Sequence, residues 1–197
     1  MIKRGHIKQE YPPGDFAIWV IIYIELITFG LLFIGYAYSR KQELQVFIDS
    51  QLLLNQTIGF VNTLFLITSS YFVAKAVHTI KLSNKPSKKA SLISSKWLFG
   101  AMILGGGFLV CKIYEFSYIF GTGINLSTNR FFMFYLFLTV FHFFHVILGM
   151  IILFNLYQKT KLHRYAKNNC SGLETGASYW HMVDLLWIVL FPLVYIL

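Results

Sequence analysis

The sequence is short of charge. Only 13% of its 197 residues are Asp, Glu, Lys or Arg, and just 8 are acidic. A soluble domain of this size needs far more charge to cover its surface, which excludes a water-soluble globular fold. Cysteine is scarce too. Cys111 sits in an apolar stretch and Cys170 in a polar one, so there is no disulfide framework and no thiolate cluster. The opening "MIKRGHIKQEYPPGD" has no apolar core and does not read as a cleaved signal peptide. Internal repeats, low-complexity tails and any break that would mark a second domain are likewise missing.

What is present is hydrophobic: 56% of residues, with a mean hydropathy of +0.61. Apolar runs recur at about 20 residues, the length that a hydrocarbon core of about 30 Å demands. The pattern predicts an all-α polytopic membrane protein, a single domain over 16–197 behind a tail over 1–15. Its bundle of five transmembrane helices covers about 16–38, 57–80, 97–120, 131–157 and 178–197. Asp15, following Pro13-Gly14, is placed as the N-cap of the first span.

The basic residues divide unevenly between the two ends of these spans. Lys3, Arg4 and Lys8, then Lys81, Lys85, Lys88, Lys89 and Lys96, then Lys159, Lys161, Arg164 and Lys167 fall on one side. Arg40, Lys41 and Arg130 fall on the other, twelve against three. By the positive-inside rule the N-terminus is cytoplasmic and the C-terminus external. The net charge of +9 therefore reads as topology and contact with phospholipid, and nucleic acid is excluded as a partner.

Ionisable side chains inside a membrane are costly and are the first functional candidates. Glu25 lies near the midplane of the first span. A carboxylate there must be protonated or partnered, and its own span offers no partner, so another helix supplies one: His145 or His142. Lys112 and Glu115, three residues apart, form a structural pair in the outer half of the third span. His181 and Asp184, in "SYWHMVDLLW", form a second polar pair near the cytoplasmic interface, flanked by Tyr179, Trp180 and Trp187. In "HFFH" two histidines share a face, but three buried histidines and one carboxylate are too few for a di-metal site. No metal and no catalytic residue are expected. Gly30, Gly35, Gly105, Gly106, Gly107 and Gly149 offer close helix approach. Two rival classes are a membrane metalloenzyme using Glu25, His142 and His145, and a small transporter. The transporter would show inverted repeats and broken helices, which are not visible.

Four stretches carry a resemblance. "SYWHMVDLLWIVLFPLVY" resembles the C-terminal signature of subunit III of haem-copper oxidases, and "FHFFHVILGMIIL" its Phe-His-Gly-Leu-His-Val helix. "KIYEF" resembles its Glu-Tyr or Glu-Phe element, and "IYIELITFG" the helix carrying its buried, carbodiimide-reactive glutamate. The match runs from Pro13 along nearly the whole chain. The five-helix form is similar to quinol-oxidase subunits III, and "PPGDFAIW" and "NTLFLITSSYFVAKAV" lean towards the branch associated with nitric oxide reductases. "HFFH" departs from His-Gly-Leu-His by placing the bulky Phe144 where the family tolerates little side chain.

The resemblance implies a non-catalytic subunit of an oxidoreductase complex in the bacterial plasma membrane, with no redox centre of its own. Haem and copper would belong to the partner, catalytic subunit I. The chain would hold phospholipid and sustain proton uptake. On this carry-over Glu25 is the buried glutamate, His145 its partner, and His181 and Asp184 a polar lock on the last helix.

Overall fold

The four prolines stand at positions 12, 13, 86 and 192, so long apolar stretches run without a helix breaker between them. The computed structural model describes residues 16–83, 87–165 and 170–197, and they are helical with short connections. The placements of Asp15 and of Lys3, Arg4, Lys8, Lys85 and Lys167 lie outside the described residues. Helices α1 (Phe16–Gln42), α2 (Leu44–Gln51), α3 (Gln56–Leu82), α4 (Lys88–Gly121), α5 (Arg130–Lys161) and α6 (Ser171–Phe191) follow in order. A π-helical turn, Pro192–Ile196, continues α6. Among the described residues five helices are long and apolar enough to cross a membrane: α1, α3, α4, α5, and α6 with its π turn.

Side chains set several helix starts. Asn55 accepts from the Ile58 amide at 3.1 Å, Ser87 from Ala90 at 3.4 Å, and Asn129 from Phe132 at 2.8 Å. Each satisfies one of the amides that a first helical turn leaves open. Two helices start well before the apolar run does. α4 begins at Lys88 rather than near 97, and α6 at Ser171 rather than near 178. Ser94 turns its hydroxyl to the Ala76 carbonyl at 2.9 Å, and Glu174 pairs with Lys81 at 2.6 Å. Polar turns thus pack on neighbouring helices beyond the apolar runs. At 1.5 Å per residue the 34 residues of α4 reach about 51 Å, well beyond a core of about 30 Å.

α2 has no counterpart in the hydropathy pattern. It is held by Phe47, buried between Tyr36 and Phe131 with ring centroids 5.2 and 5.5 Å away. Ser50 adds a bond from Asn129 at 2.9 Å. Gln51 holds the other end of the chain, donating to the Val194 carbonyl at 3.0 Å.

α6 is the most deeply buried span, and α1 buries only Ile22, Phe29 and Tyr36. α6 packs on α1, α3 and α5 and reaches α4 through its tryptophans. Trp180 explains two of the six candidate glycines. A Cβ on Gly149 would stand 2.8 Å from Trp180 Cε3, and one on Gly105 3.0 Å from Trp180 Cη2 and 2.7 Å from Met150 Sδ. Gly30 and Gly106 have nothing within 4 Å at that position, so they do not mediate close approach. Phe144 is a second correction: it is 61% exposed and points away from the bundle, so its bulk meets no tight packing. Phe143 is half-buried, edge-on to Phe116 of α4 at 5.8 Å.

Candidate functional site: three buried polar clusters

The first cluster joins α1 to α5. Glu25 Oε2 lies 3.0 Å from His145 Nε2, with the side chains 23% and 10% exposed, so the pair is partly open to the surface of the bundle. His145 Nδ1 lies 2.8 Å from the Phe141 carbonyl. A carbonyl only accepts, so Nδ1 carries a hydrogen. Nε2 then accepts from a protonated Glu25 or donates to an ionised one. Either bonded arrangement would be electrically neutral. Phe141 and Phe29 wall the imidazole at centroid distances of 4.6 and 5.5 Å.

His142, the other candidate partner of Glu25, is not brought to it. Helix geometry turns His142 about 60° away from His145, viewed down the axis, and points it into the bundle. There it is fully buried against Trp187, Phe108 and Phe29, at 5.2, 5.8 and 6.3 Å. Neither ring nitrogen has a partner among the described residues.

The second cluster lies in the outer half of α4. Lys112 Nζ donates to Glu115 Oε2 at 3.0 Å, and both side chains are buried. Two tyrosines complete it. Lys112 also donates to Tyr195 Oη at 2.6 Å, Tyr195 donates to Glu115 Oε1 at 2.5 Å, and Tyr135 to the same oxygen at 2.7 Å. Aromatic faces surround the ammonium, with Trp187 at 4.7 Å and Tyr195 at 5.1 Å from its nitrogen. A buried ion pair is tolerated when further bonds satisfy both ions, and here α5 and the π turn supply them. Tyr135 and Tyr195 were beyond sequence reasoning, because a neutral hydroxyl in an aromatic-rich span carries no hydropathy signal. Their spacing from Lys112 is set only by the fold.

The third cluster corrects the expected His181–Asp184 pair. His181 Nδ1 meets the Ser70 hydroxyl of α3 at 2.5 Å, and the Asp184 carboxyl also neighbours Ser70. No direct bond joins His181 to Asp184 among the described residues. The Ser70 hydroxyl, on the adjacent helix, thus stands beside both. Asp184 Oδ1 has no hydrogen-bond partner among the described residues. Nowhere among the described residues do three or more His, Cys, Asp or Glu side chains gather as metal ligands would.

The three clusters lock helices together and do not converge on one open cleft. Comparison with known proteins agrees with a subunit of that kind. Residues 16–197 match the family model described as cytochrome c oxidase subunit III. A cytochrome c oxidase subunit 3 from Prototheca wickerhamii is 36% identical over 138 residues, 70% of this chain and 49% of that one. A probable quinol oxidase subunit 3 from Staphylococcus saprophyticus is 28% identical over 91% of this chain and 86% of its own length. A haem-copper oxidase subunit I+III from Aeropyrum pernix is 28% identical over 98% of this chain and 24% of its own length. The chain spans about half the length of the relatives that match it at 36% and 33% identity.

Proposed function

The chain belongs to the cytochrome c oxidase subunit III family, and on that premise we propose that it is the non-catalytic subunit of a respiratory haem-copper oxidase. In this reading it forms one five-helix unit that packs on the catalytic subunit I, where haem and copper reside, and itself holds none. The observation that carries the reading is the Aeropyrum pernix relative, whose name joins subunits I and III in one polypeptide. Two domains fused in one chain remain neighbours, and this chain aligns end to end with a quarter of it. Relatives named as cytochrome c and quinol oxidases favour an oxygen-reducing partner over the nitric oxide branch.

The long apolar face of α1, exposed at Ile24, Ile27, Leu31 and Ile34, supports contact with phospholipid. Lys81, Lys88, Lys89, Lys96, Lys159, Lys161 and Arg164 gather at one end of α3, α4 and α5, which supports a cytoplasmic N-terminus in a bacterial plasma membrane. Glu25 and His145 would support proton uptake by the complex as a titratable pair at the junction of α1 and α5. The test is to tag this chain, solubilise membranes gently and ask what co-purifies. Stoichiometric recovery of a haem-bearing subunit, with its Soret band and oxygen consumption, is the expected result. Recovery of the chain alone from cells that contain the oxidase would overturn the reading.

A further inference from the structure

Polar groups line the seam between α3 and α6 over most of its length. Ser70 and His181 mark the inner end, and Trp187 Nε1 donates to Thr63 Oγ1 at 3.0 Å further out. Gln56 donates to the Tyr195 carbonyl at 2.9 Å beside the Lys112–Glu115 cluster. Residues 56 and 70 are 14 positions apart, about 21 Å along the helix. Glu115, at the outer end, also lines a surface cleft of about 620 Å³ with Asn55, Gln56, Tyr114 and Tyr118.

Six buried side-chain atoms of the bundle have no hydrogen-bond partner among the described residues. They are Asp184 Oδ1, Trp180 Nε1, both amide atoms of Asn62 and both ring nitrogens of His142. All four residues are more than nine-tenths buried: Asn62 and His142 are 0% exposed, Trp180 1% and Asp184 8%. Orphaned polar atoms are rare in native proteins, and the usual partner where the protein offers none is an ordered water making two to four bonds. The chemistry is complementary. Trp180 can only donate and an ionised Asp184 can only accept, and the two stand one helical turn apart on α6. Asn62 offers both kinds of atom, as does a neutral His142. His142 adjoins the same Trp187 ring that covers Lys112.

We propose that the interior of this bundle is a hydrated site, in which ordered water bridges Trp180 Nε1 to Asp184 Oδ1 and satisfies Asn62 and His142. These waters fill the gaps between the directly bonded groups. They make a polar column from Ser70 and His181 towards Glu115 and the outer cleft. The indole of Trp187 stands within it, and its N–H is already committed to Thr63.

The experiment uses the full chain in its membrane complex, imaged at a resolution that separates single waters. Density within hydrogen-bond distance of both Trp180 Nε1 and Asp184 Oδ1, and of a His142 nitrogen, is expected. Carbon-only surroundings, or Trp180 bonded directly to Asp184, would overturn the proposal. A second readout is the water cross-peak of each indole N–H in the full chain carrying ¹⁵N-tryptophan, in a phospholipid nanodisc. Trp180 should show a long-lived cross-peak, and Trp187, whose N–H is bonded to Thr63, a weaker one. A cross-peak of equal size at both would mean general solvent penetration and would also overturn it. Asp184→Leu should abolish the Trp180 cross-peak. Its persistence in that variant would remove Asp184 from the site, and if the variant does not fold the wild-type measurement decides.

Discussion

Tyr195 accepts from Lys112 at 2.6 Å and passes its own hydrogen to Glu115 at 2.5 Å, so one hydroxyl bridges both members of a buried ion pair. The pair therefore depends on a residue of the π turn, 80 positions beyond Glu115 in the chain. Tyr195→Phe keeps the ring and removes the bridge. It should destabilise the detergent-solubilised protein by about 1–3 kcal/mol, the usual cost of leaving a buried partner unsatisfied. Thermal unfolding of the variant beside wild type would measure it, and an unchanged midpoint would count against the bridge.

Lys112 and Glu115 should be strongly coupled. Lys112→Met or Glu115→Gln alone leaves one ion buried without its counterpart, at a cost of about 3–5 kcal/mol. The double variant removes both ions and should be more stable than either single variant. Additive losses in a double-mutant cycle would show that the two side chains act independently.

Glu25→Gln should be mild, because the amide still reaches His145 and needs no charge. Glu25→Ala should be worse, since it strips His145 Nε2 of its partner. The yield of assembled protein and its thermal midpoint separate the two cases. Identical behaviour would mean that the contact contributes nothing to assembly.

Gly149→Ala places a methyl group 2.8 Å from the Trp180 ring and should cost about 1–3 kcal/mol by overpacking. Gly106→Ala, with open space at the same position, should be neutral or gain up to about 1 kcal/mol from helix propensity. Equal effects would show that the tight seat of Trp180 is not decisive.

Asp184→Asn tests the third cluster. The contact with Ser70 and the fit of α6 should loosen, lowering the amount of this chain retained in the purified complex. The initial turnover of complexes that do assemble should stay nearly normal. Full retention with abolished turnover would make Asp184 part of the reaction instead.

Hydropathy was a good guide to the spans because the bilayer imposes one simple demand on them, a stretch of apolar side chains. It is silent on α2, whose one buried apolar residue, Phe47, gives no periodic pattern, and on the polar first turns of α4 and α6, which lie where the demand lapses. Within the clusters, Lys112 and Glu115 were legible because i, i+3 neighbours are fixed by the helix itself. Glu25 was legible as a residue needing a partner, but the choice between His145 and His142 depended on the rotation of α5, which a uniformly apolar span does not reveal. Ser70, Tyr135 and Tyr195 belong to other helices and are ordinary in their own context. Only packing makes them partners.

A proton shared across the Glu25–His145 contact would have an electrical consequence. A respiratory membrane carries a potential, and each net charge displaced across it experiences about 2.3 kcal/mol per 100 mV. One carboxyl and one imidazole sharing a single proton present no net charge to that field, whichever of them holds it. Lys112 and Glu115 cancel in the same way. Voltage can bias the side of the 3.0 Å contact on which the proton rests, but it exerts no net pull on the helices that carry the pair. The junction of α1 and α5 should keep its structure whether the membrane is energised or not.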